Sequence, residues 1–333
     1  MNVPNLNVCP AILTENHTTY SALGLRKVFN GHKVNHILPY YSSLKSDEDA
    51  EKFIENRERL SISGVQEKLS LILEGNKLRL TEAGEQGNYI LKPIPRDVKK
   101  VNQVPANEHL TMQIAKQIFR IETAENALIF FKSGEPAYIT KRFDIRPDGN
   151  KWRTEDFASL AGMTNDTGGP DFKYESSYED IGKLIQRFVP AWRVEVEKFF
   201  QLVLFNYMFS NGDAHLKNYG LLETSAGDFV LSPAYDMLNT RIHVNDTDFA
   251  LKKGLFADGF RSPLWETTGQ PGKGDFLSFA EKIGVSTRRV ERLMAPLLNR
   301  QKAVADLVGR SFLSASIKKA YLDYYYRKTN FYK

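Results

Sequence analysis

The chain has 333 residues, of which 42% are hydrophobic and 26% are charged, as in an ordinary globular protein. Its 45 basic and 40 acidic residues give a net charge of +5, an excess too mild to indicate nucleic-acid binding by itself. No apolar run approaches the roughly 18 residues of a membrane helix, and the first residues lack the pattern of a signal peptide. The single cysteine, Cys9, cannot form an internal disulfide, so we expect a cytoplasmic protein that does not bind a membrane.

Residues 1–58 carry little pattern until a charged stretch near their end that is typical of a helix. Strands follow, predicted from β-type apolar segments bounded by turn residues, at 69–73, 77–81, 88–92, 127–131 and 137–143. The first two flank Glu74-Gly75-Asn76 and therefore predict a hairpin. A helix is predicted from about Ala106 to Phe119, because apolar residues recur there every four positions.

Helical patterns dominate after Asp144. Helices are predicted at 179–188 and 194–210, and the second is apolar nearly all round, as a buried central helix is. Two short strands at 218–223 and 228–232 follow it, and the chain beyond about Asp275 is helical in pattern. The sequence thus predicts an α+β fold with two lobes, strand-rich first and helical second, and chemistry is expected in a cleft between them.

The segment directly after the predicted buried helix carries the strongest functional signal. Asp213 and Asn218 stand five residues apart, the interval between the catalytic Asp and the metal-binding Asn in the catalytic loop of protein kinases. Phosphoryl transfer needs such a carboxylate for the attacking hydroxyl and an oxygen ligand for Mg²⁺ nearby. Asp236, just past a predicted strand, is the second candidate metal ligand. Two of the residues between Asp213 and Asn218 also have predicted roles: His215 is predicted to orient the loop, and Lys217 is predicted to contact a phosphate oxygen.

A second signal lies at the end of the strand predicted at 88–92. Lys92 occupies that end, where its side chain can pair with the phosphates of a nucleotide. Glu108, sixteen residues later at the start of the predicted helix, is its expected ion-pair partner, because kinases hold the phosphates in register with such a pair.

A third signal is the turn Ser61-Ile62-Ser63-Gly64 before the first strand. Backbone N–H groups of Ser63, Gly64 and Val65 are predicted to cover the phosphates, since glycine allows close approach of the backbone. Ser61 and Ser63 are alternatively candidates for phosphate acceptors.

Seven segments occur in the order and spacing of the HipA-like toxin kinases, namely SISGVQEK, NYILKP, ITKRFD, EDFASLAG, KYES, NGDAHLKN and LSPAYDM. The chain resembles this family over roughly residues 59–255. It is most similar to the short HipT-type members, in which a separate small protein replaces the N-terminal subdomain. The resemblance implies a protein-kinase-like fold that transfers phosphoryl from ATP, with Mg²⁺, to serine or threonine. Asp213 would be the catalytic residue, Asn218 and Asp236 the metal ligands, and Lys92 the lysine that anchors ATP.

The resemblance also assigns further residues and partners. Ser61 and Ser63 would both be autophosphorylated, and the two added charges would repel ATP and inactivate the enzyme. Backbone groups near Lys141 and Phe143 would meet adenine, although HipA has Glu where Lys141 stands. The implied protein substrate is an aminoacyl-tRNA synthetase. The implied partners are two antitoxins, a small HipS-like protein and a DNA-binding HipB-like protein. The chain itself would contact DNA only indirectly, through the HipB-like protein.

These inferences predict three regions. Residues 1–58 would form the N-terminal segment of the kinase N-lobe, residues 59–143 the N-lobe with its phosphate loop, and residues 144–333 the helical C-lobe with the catalytic loop.

Other functions stay open at this point. Residues 275–298 resemble a helix-turn-helix whose second helix carries Arg288, Arg289 and Arg292, which would suit DNA. Small-molecule and lipid kinases share the Asp-x₄-Asn loop. An inactive binding module is disfavoured, because the lysine and the three polar residues of the predicted site are all present.

Overall fold

The computed structural model of the protein describes residues 5–42, 67–95 and 98–331. The chain divides into two compact units. The N-terminal unit comprises Met1–Ile114, Ala124–Phe143 and Ala305–Lys319. The C-terminal unit comprises Ala115–Thr123, Asp144–Val304 and Ala320–Lys333. The charged stretch predicted as a helix before residue 60 lies outside the described residues.

The N-terminal unit is built on an antiparallel sheet, with the order β2-β1-β3-β5-β4 among the described residues. Its strands are β1 Leu69–Glu74, β2 Lys77–Leu80, β3 Tyr89–Lys92, β4 Asn126–Phe130 and β5 Pro136–Lys141. Its helices are α1 Ala22–Phe29 and α2 Val104–Gln117. The predicted strands and the predicted helix are confirmed, with ends shifted by at most two residues.

Strands β1 and β2 form the predicted hairpin, in which Glu74 faces Lys77 across a turn whose Gly75 has a positive φ of 57°. One face of the sheet packs on α1 and the residues before it. Cys9 is fully buried in that core and its thiol donates a hydrogen bond to Ser21 Oγ at 3.3 Å, so it serves as a small packed side chain.

Helix α2 is buried on every side, whereas its sequence predicted one apolar stripe. Polar side chains fill the remaining faces, and each is held by a partner. Gln113 Nε2 donates to Asn126 Oδ1 at 3.0 Å, and the ring of His109 lies 3.2 Å from the carbonyl oxygen of Ala11. Burial lowers the pKa of His109 to about 4, so the ring is neutral near pH 7. This helix therefore carries Glu108 into the interior of its unit.

The C-terminal unit is mainly helical. Its helices are α3 Phe157–Leu160, α4 Asn165–Gly168, α5 Tyr178–Phe188, α6 Trp192–Met208, α7 Pro263–Thr268, α8 Lys273–Lys282 and α9 Thr287–Asn299. Two more helices, α10 Gln301–Arg310 and α11 Ala315–Phe331, are divided between the units, because Ala305–Lys319 belongs to the N-terminal unit. A small antiparallel sheet of the described residues pairs β6 Thr154–Asp156, β7 Gly220–Glu223 and β8 Phe229–Leu231, in that order.

Helix α6 is the predicted central helix, and its second half is buried on all faces. Helices α5 and α9 pack against it, and β8 is tied to its start because Leu231 N–H donates to Glu195 Oε2 at 2.9 Å. The hairpin of β7 and β8 follows α6 as predicted, so the loop between α6 and β7 is anchored at both ends. None of the helices in the described part of the chain has the length and apolar character of a membrane span.

The aromatic segment near the C-terminus packs onto its own unit through α11. The rings of Tyr325 and Phe209 stack with centroids 4.7 Å apart, and Tyr325 is fully buried. Lys328 Nζ lies 2.6 Å from Asp248 Oδ2, while Asp248 Oδ1 accepts a hydrogen bond from Arg241 Nη2 at 3.0 Å. One carboxylate is thus shared by two cations, and helix α11 is bonded to the segment around Asp248.

Candidate active site

Hydrogen bonds fix the loop that follows α6 on both sides. Asn211 Nδ2 donates to Asn206 Oδ1 at 3.0 Å, and Gly212 N–H donates to Thr240 Oγ1 at 2.9 Å. Asn206 in turn donates to the hydroxyl of Tyr219 at 3.0 Å. These bonds hold the backbone directly before the predicted catalytic aspartate.

Gly212 is required by a close approach of the chain. A Cβ at this position would lie 2.5 Å from the carboxyl carbon of Asp246 and would overlap the carbonyl oxygen of Thr247. The segment around Asp246 therefore packs directly on the loop, and only glycine leaves room for it.

The Asp213 carboxylate accepts a hydrogen bond from the hydroxyl of Tyr174 at 2.9 Å. Although the residue reaches solvent, burial among surrounding atoms raises the pKa of its carboxyl above the ordinary value. The hydrogen bond from Tyr174 and the charge of Lys173 oppose this rise, while the carboxylates of Asp246 and Asp236 add to it. Tyr174 and Asp246 were missed in the sequence, where Tyr174 appears only inside the segment KYES.

Asn218 ends a turn of 3₁₀ helix, Leu216–Asn218, that begins just after His215. Its Oδ1 accepts the backbone N–H of His215 at 3.1 Å, and its own N–H donates to the carbonyl oxygen of His215 at 2.9 Å. Burial, together with Lys173, lowers the pKa of His215 to about 3, so the ring is neutral. The backbone of His215 is bonded to Asn218 and its ring packs against the ring of Tyr174, while its role in orienting the loop stays a prediction.

Asp236 reaches the same loop through its neighbour. The hydroxyl of Tyr235 donates to the carbonyl oxygen of Lys217 at 2.9 Å, which ties the chain before Asp236 to the loop that carries Asn218. Asp236 has a positive φ of 56°, an unusual conformation for a residue with a Cβ. The exposed Lys217 keeps its ammonium 5.9 Å from the ring centroid of Phe172.

The polar side chains of this loop suit a divalent cation. Asp236 and Asn218 supply a carboxylate and an amide oxygen, the donors that Mg²⁺ prefers. The charge of Asp236 raises the pKa of Asp213, so the two carboxylates repel each other, and a cation would offset this repulsion. No cluster of three or more His, Cys, Asp or Glu side chains suited to a metal occurs within residues 5–42, 67–95 and 98–331.

In the N-terminal unit, Lys92 and Glu108 form the ion pair expected from the sequence, with Nζ 2.6 Å from Oε1. Lys92 comes from the end of β3 and Glu108 from the first turns of α2, and both are almost fully buried. Lys92 Nζ also lies 5.4 Å from the ring centroid of Tyr138, which faces it across β3 and β5.

The two residues expected to meet adenine lie at the end of β5 and just beyond it. The backbone N–H of Lys141 already donates to the carbonyl oxygen of Glu125 at 2.7 Å, and Lys141 Nζ donates to Asn30 Oδ1 at 2.6 Å. Phe143 is half-buried. A backbone contact from this segment to a base would therefore have to use groups other than the Lys141 N–H.

The predicted phosphate loop lies outside the described residues. Ser61, Ser63, Gly64 and Val65 all belong to the stretch between residues 42 and 67. Their roles as phosphate-binding or phosphate-accepting residues stay predictions.

The model of the HipA-like C-terminal domain matches residues 60–305 of the chain. The chain belongs to this family. Among curated relatives, this HipA-like chain is 27% identical to a candidate kinase of Haemophilus influenzae, over 94% of its own length and 92% of that protein. It is 32% identical to a candidate kinase of Sinorhizobium fredii, Y4dM, over 59% of its length and 48% of that protein. The match to the serine/threonine-protein kinase toxin HipA of Shewanella oneidensis is 26% identical and covers 57% of this chain and 45% of that one.

Solved structures show the same fold. The HipA-like chain superposes on a chain of the Shewanella oneidensis complex of HipA, HipB and operator DNA with a TM-score of 0.61 and 20% identity. That match covers 81% of this chain and 63% of the other. The Helicobacter pylori kinase CtkA gives a TM-score of 0.50 at 16% identity, covering 78% of this chain and 92% of that one. The α+β, protein-kinase-like fold predicted from the sequence is confirmed, while the HipA-like chain spans about half the length of Y4dM and the curated HipA.

The helix-turn-helix candidate of this HipA-like chain is a pair of helices, α8 and α9, in the C-terminal unit. Arg289 forms a bidentate contact with Glu197 of α6, including Nε at 2.9 Å from each carboxylate oxygen. Arg288 and Arg292 are exposed. One of the three arginines therefore holds α9 against its own unit, which weakens the case for three arginines reading DNA.

Proposed function

We propose that this chain is an ATP-dependent serine/threonine protein kinase. The proposal depends above all on the loop after α6, which carries Asp213 and Asn218 on one rigid turn that is bonded on both sides. Asp213 has a raised pKa and reaches solvent, as a base that accepts a proton from an incoming hydroxyl must. Membership of the HipA-like family supports the same activity.

Each residue has a role in this proposal. Asp213 orients the acceptor hydroxyl and takes its proton on a carboxylate oxygen. Lys92, held in place by Glu108, binds nucleotide phosphates. Asn218 and Asp236 would hold Mg²⁺, which supplies charge neutralisation at the phosphates when it is bound. His215 is neutral and shapes the turn, while Lys217 offers an exposed cation for a phosphate oxygen.

The biological role is the second part of the proposal. The chain would be the toxin of a toxin–antitoxin system that phosphorylates a translation component such as an aminoacyl-tRNA synthetase. The relative from Shewanella oneidensis is named a kinase toxin, and its structure is a complex with HipB and operator DNA. By that likeness, a HipB-like antitoxin would carry the DNA contact, and a small HipS-like protein would be a further partner.

Autophosphorylation is the third part. The family resemblance points to Ser61 and Ser63 as acceptors, and two phosphates there would add negative charge that repels ATP. Phosphorylated protein should therefore bind ATP more weakly than the Ser61→Ala/Ser63→Ala variant, in calorimetric titrations. Equal affinity of the two forms would contradict self-inactivation and leave the kinase assignment intact.

The kinase assignment is tested with purified protein, ATP labelled at the γ-phosphate and a cell extract. Label should enter a protein at serine or threonine, located by mass spectrometry. Asp213→Ala should lower the rate on the order of 10³-fold while nucleotide binding persists, given the size of such catalytic terms. Asp228→Ala, which removes an exposed carboxylate from the turn between β7 and β8, is the matched control and should be fully active. Label in lipid or a small molecule, or an active Asp213→Ala, would overturn the proposal.

A further inference from the structure

The hydroxyl of Tyr174 is the one group, within the described part of the chain, that donates a hydrogen bond to the Asp213 carboxylate. Tyr174 lies 39 residues before Asp213 and ends a turn of 3₁₀ helix, Phe172–Tyr174. A carboxylate that acts on an incoming hydroxyl needs a second group that sets its orientation, since one badly aimed oxygen forfeits much of the catalytic gain. The rigid loop fixes the backbone of Asp213, but its carboxylate can still rotate.

Tyr174 is itself held in place. Its carbonyl oxygen accepts the backbone N–H of Lys252 at 2.9 Å, and its own N–H donates to the carbonyl oxygen of Asp171 at 2.8 Å. Its ring meets the ring of His215 edge to face, with centroids 5.2 Å apart. The hydroxyl of Tyr174 therefore points at Asp213 from a fixed position.

We propose that Tyr174 is a positioning residue for the phosphoryl transfer, which holds Oδ1 of Asp213 so that Oδ2 faces the acceptor hydroxyl. This inference rests on the proposed kinase function. It assigns to the KYES segment a role that the Asp-x₄-Asn pattern does not include.

Charges around the pair fit this role. Burial and the neighbouring carboxylates of Asp213, Asp246 and Asp171 raise the pKa of Tyr174, so its hydroxyl keeps its proton and stays a donor. Burial raises the pKa of Asp213, and the charges of Asp246 and Asp236 add to this rise. The hydrogen bond from Tyr174 and the charge of Lys173 offset part of it. The ring of His215 is neutral and adds no charge.

The first test is Tyr174→Phe, which removes the donor and keeps the ring. We expect kcat to fall about ten- to a hundredfold, the loss of one hydrogen bond to a charged group, while KM for ATP stays within about twofold. The acidic limb of the pH–rate profile should move to higher pH, because the carboxyl loses a bond that favours its charged form.

The second test is a double-mutant cycle. If Tyr174 acts through Asp213, then Tyr174→Phe should cause almost no further loss in the Asp213→Ala background, whereas independent effects would multiply. Tyr325→Phe is the matched control, because it keeps the ring and removes a hydroxyl that donates to the carbonyl oxygen of Leu297 at 2.7 Å in the same unit, and not to a residue of the catalytic loop. It should lower the melting temperature without changing kcat or its pH dependence.

The outcomes separate this inference from the kinase assignment. An active wild type, an inactive Asp213→Ala and a Tyr174→Phe variant with wild-type kcat would refute the positioning role alone. Equal fold losses from Tyr174→Phe in both backgrounds would show a structural role instead. A wild type without phosphotransfer would refute the proposed function itself.

Discussion

The ammonium of Lys92 lies 2.6 Å from the carboxylate of Glu108, and these side chains keep 3% and 2% of their surface exposed. Two opposite charges at this depth compensate each other, and removing one member of a buried ion pair is strongly destabilising. The pair therefore has a structural effect that can be separated from its proposed contact with nucleotide.

Lys92→Met should lower the free energy of unfolding by about 3–5 kcal/mol, since it removes the ammonium group that lies 2.6 Å from the buried carboxylate of Glu108. The double variant Lys92→Met/Glu108→Leu should recover most of that stability, because both charges of the ion pair are then absent, yet it should still fail to bind ATP. Urea unfolding and calorimetric titration with ATP measure the two effects. A double variant as unstable as the single one would refute the structural argument, and one that binds ATP normally would refute the role of Lys92.

Asp236 combines a strained backbone with a proposed metal contact. Asn tolerates its positive φ about as well as Asp does, whereas Ala in that conformation loses about 1–2 kcal/mol. We therefore expect Asp236→Asn to melt near the wild-type temperature and Asp236→Ala to melt lower. Asp236→Ala should lose Mg²⁺-dependent ATP binding, and Asp236→Asn, which keeps an amide oxygen but no charge, should weaken it. Titration of each variant with ATP, with and without Mg²⁺, checks this, and Mg²⁺-dependent binding by Asp236→Ala with wild-type affinity would exclude Asp236 as a ligand.

The raised pKa of Asp213 predicts a cost in stability at the catalytic loop. A carboxyl whose pKa is higher in the folded than in the unfolded state stabilises the fold while protonated, and that contribution is lost as the pH rises through the folded pKa. The neutral variant Asp213→Asn should therefore unfold at higher urea than the wild type near neutral pH. The difference should narrow as the pH falls, in metal-free buffer. A difference in urea midpoint between the two proteins that grows at acidic pH would contradict the upward shift of the Asp213 pKa.

Lys328 makes the opposite kind of prediction. Burial outweighs the attraction of Asp248, which is shared with Arg241, and lowers the pKa of Lys328 to about 8. Between its ordinary value of 10.5 and about 8, the unfolded chain takes up a proton that the folded chain does not, so stability falls as the pH falls.

Lys328→Met removes this dependence. The free energy of unfolding of the wild type, measured relative to Lys328→Met, should decrease as the pH is lowered through that window. The same substitution at the exposed Lys302 of α10 should leave the pH dependence unchanged. Parallel curves for the wild type and Lys328→Met would show that burial does not shift this pKa.

Sequence reasoning reached the parts of the molecule that depend on short-range pattern. The hairpin of β1 and β2, the strand that ends at Lys92 and the buried helix α6 all follow from apolar periodicity and turn residues. The Lys92–Glu108 contact was predictable because kinases pair a lysine at the end of a strand with a glutamate of the following helix.

Contacts between residues that are distant along the chain could not be predicted from the sequence. Strand β6 reads Thr154–Asp156, polar throughout, and it is a strand because it pairs with β7. The hydrogen bond from Tyr174 to Asp213 joins residues far apart along the chain, and the packing of Asp246 on Gly212 does the same. Such partners have no periodicity to reveal them, so the residues around the candidate base were the ones that sequence reasoning missed.

The salt bridge of Lys328 has a practical consequence for handling the protein. Truncation ahead of this lysine would remove its ion pair with Asp248 and keep the hydrogen bond from Arg241 to the same carboxylate. Helix α11 would then lose its bond to the segment that packs on Gly212. Affinity tags and fusion partners are therefore better placed at the amino end. If a shortened version proves inactive, the missing ammonium group should be restored before any residue of the catalytic loop is suspected.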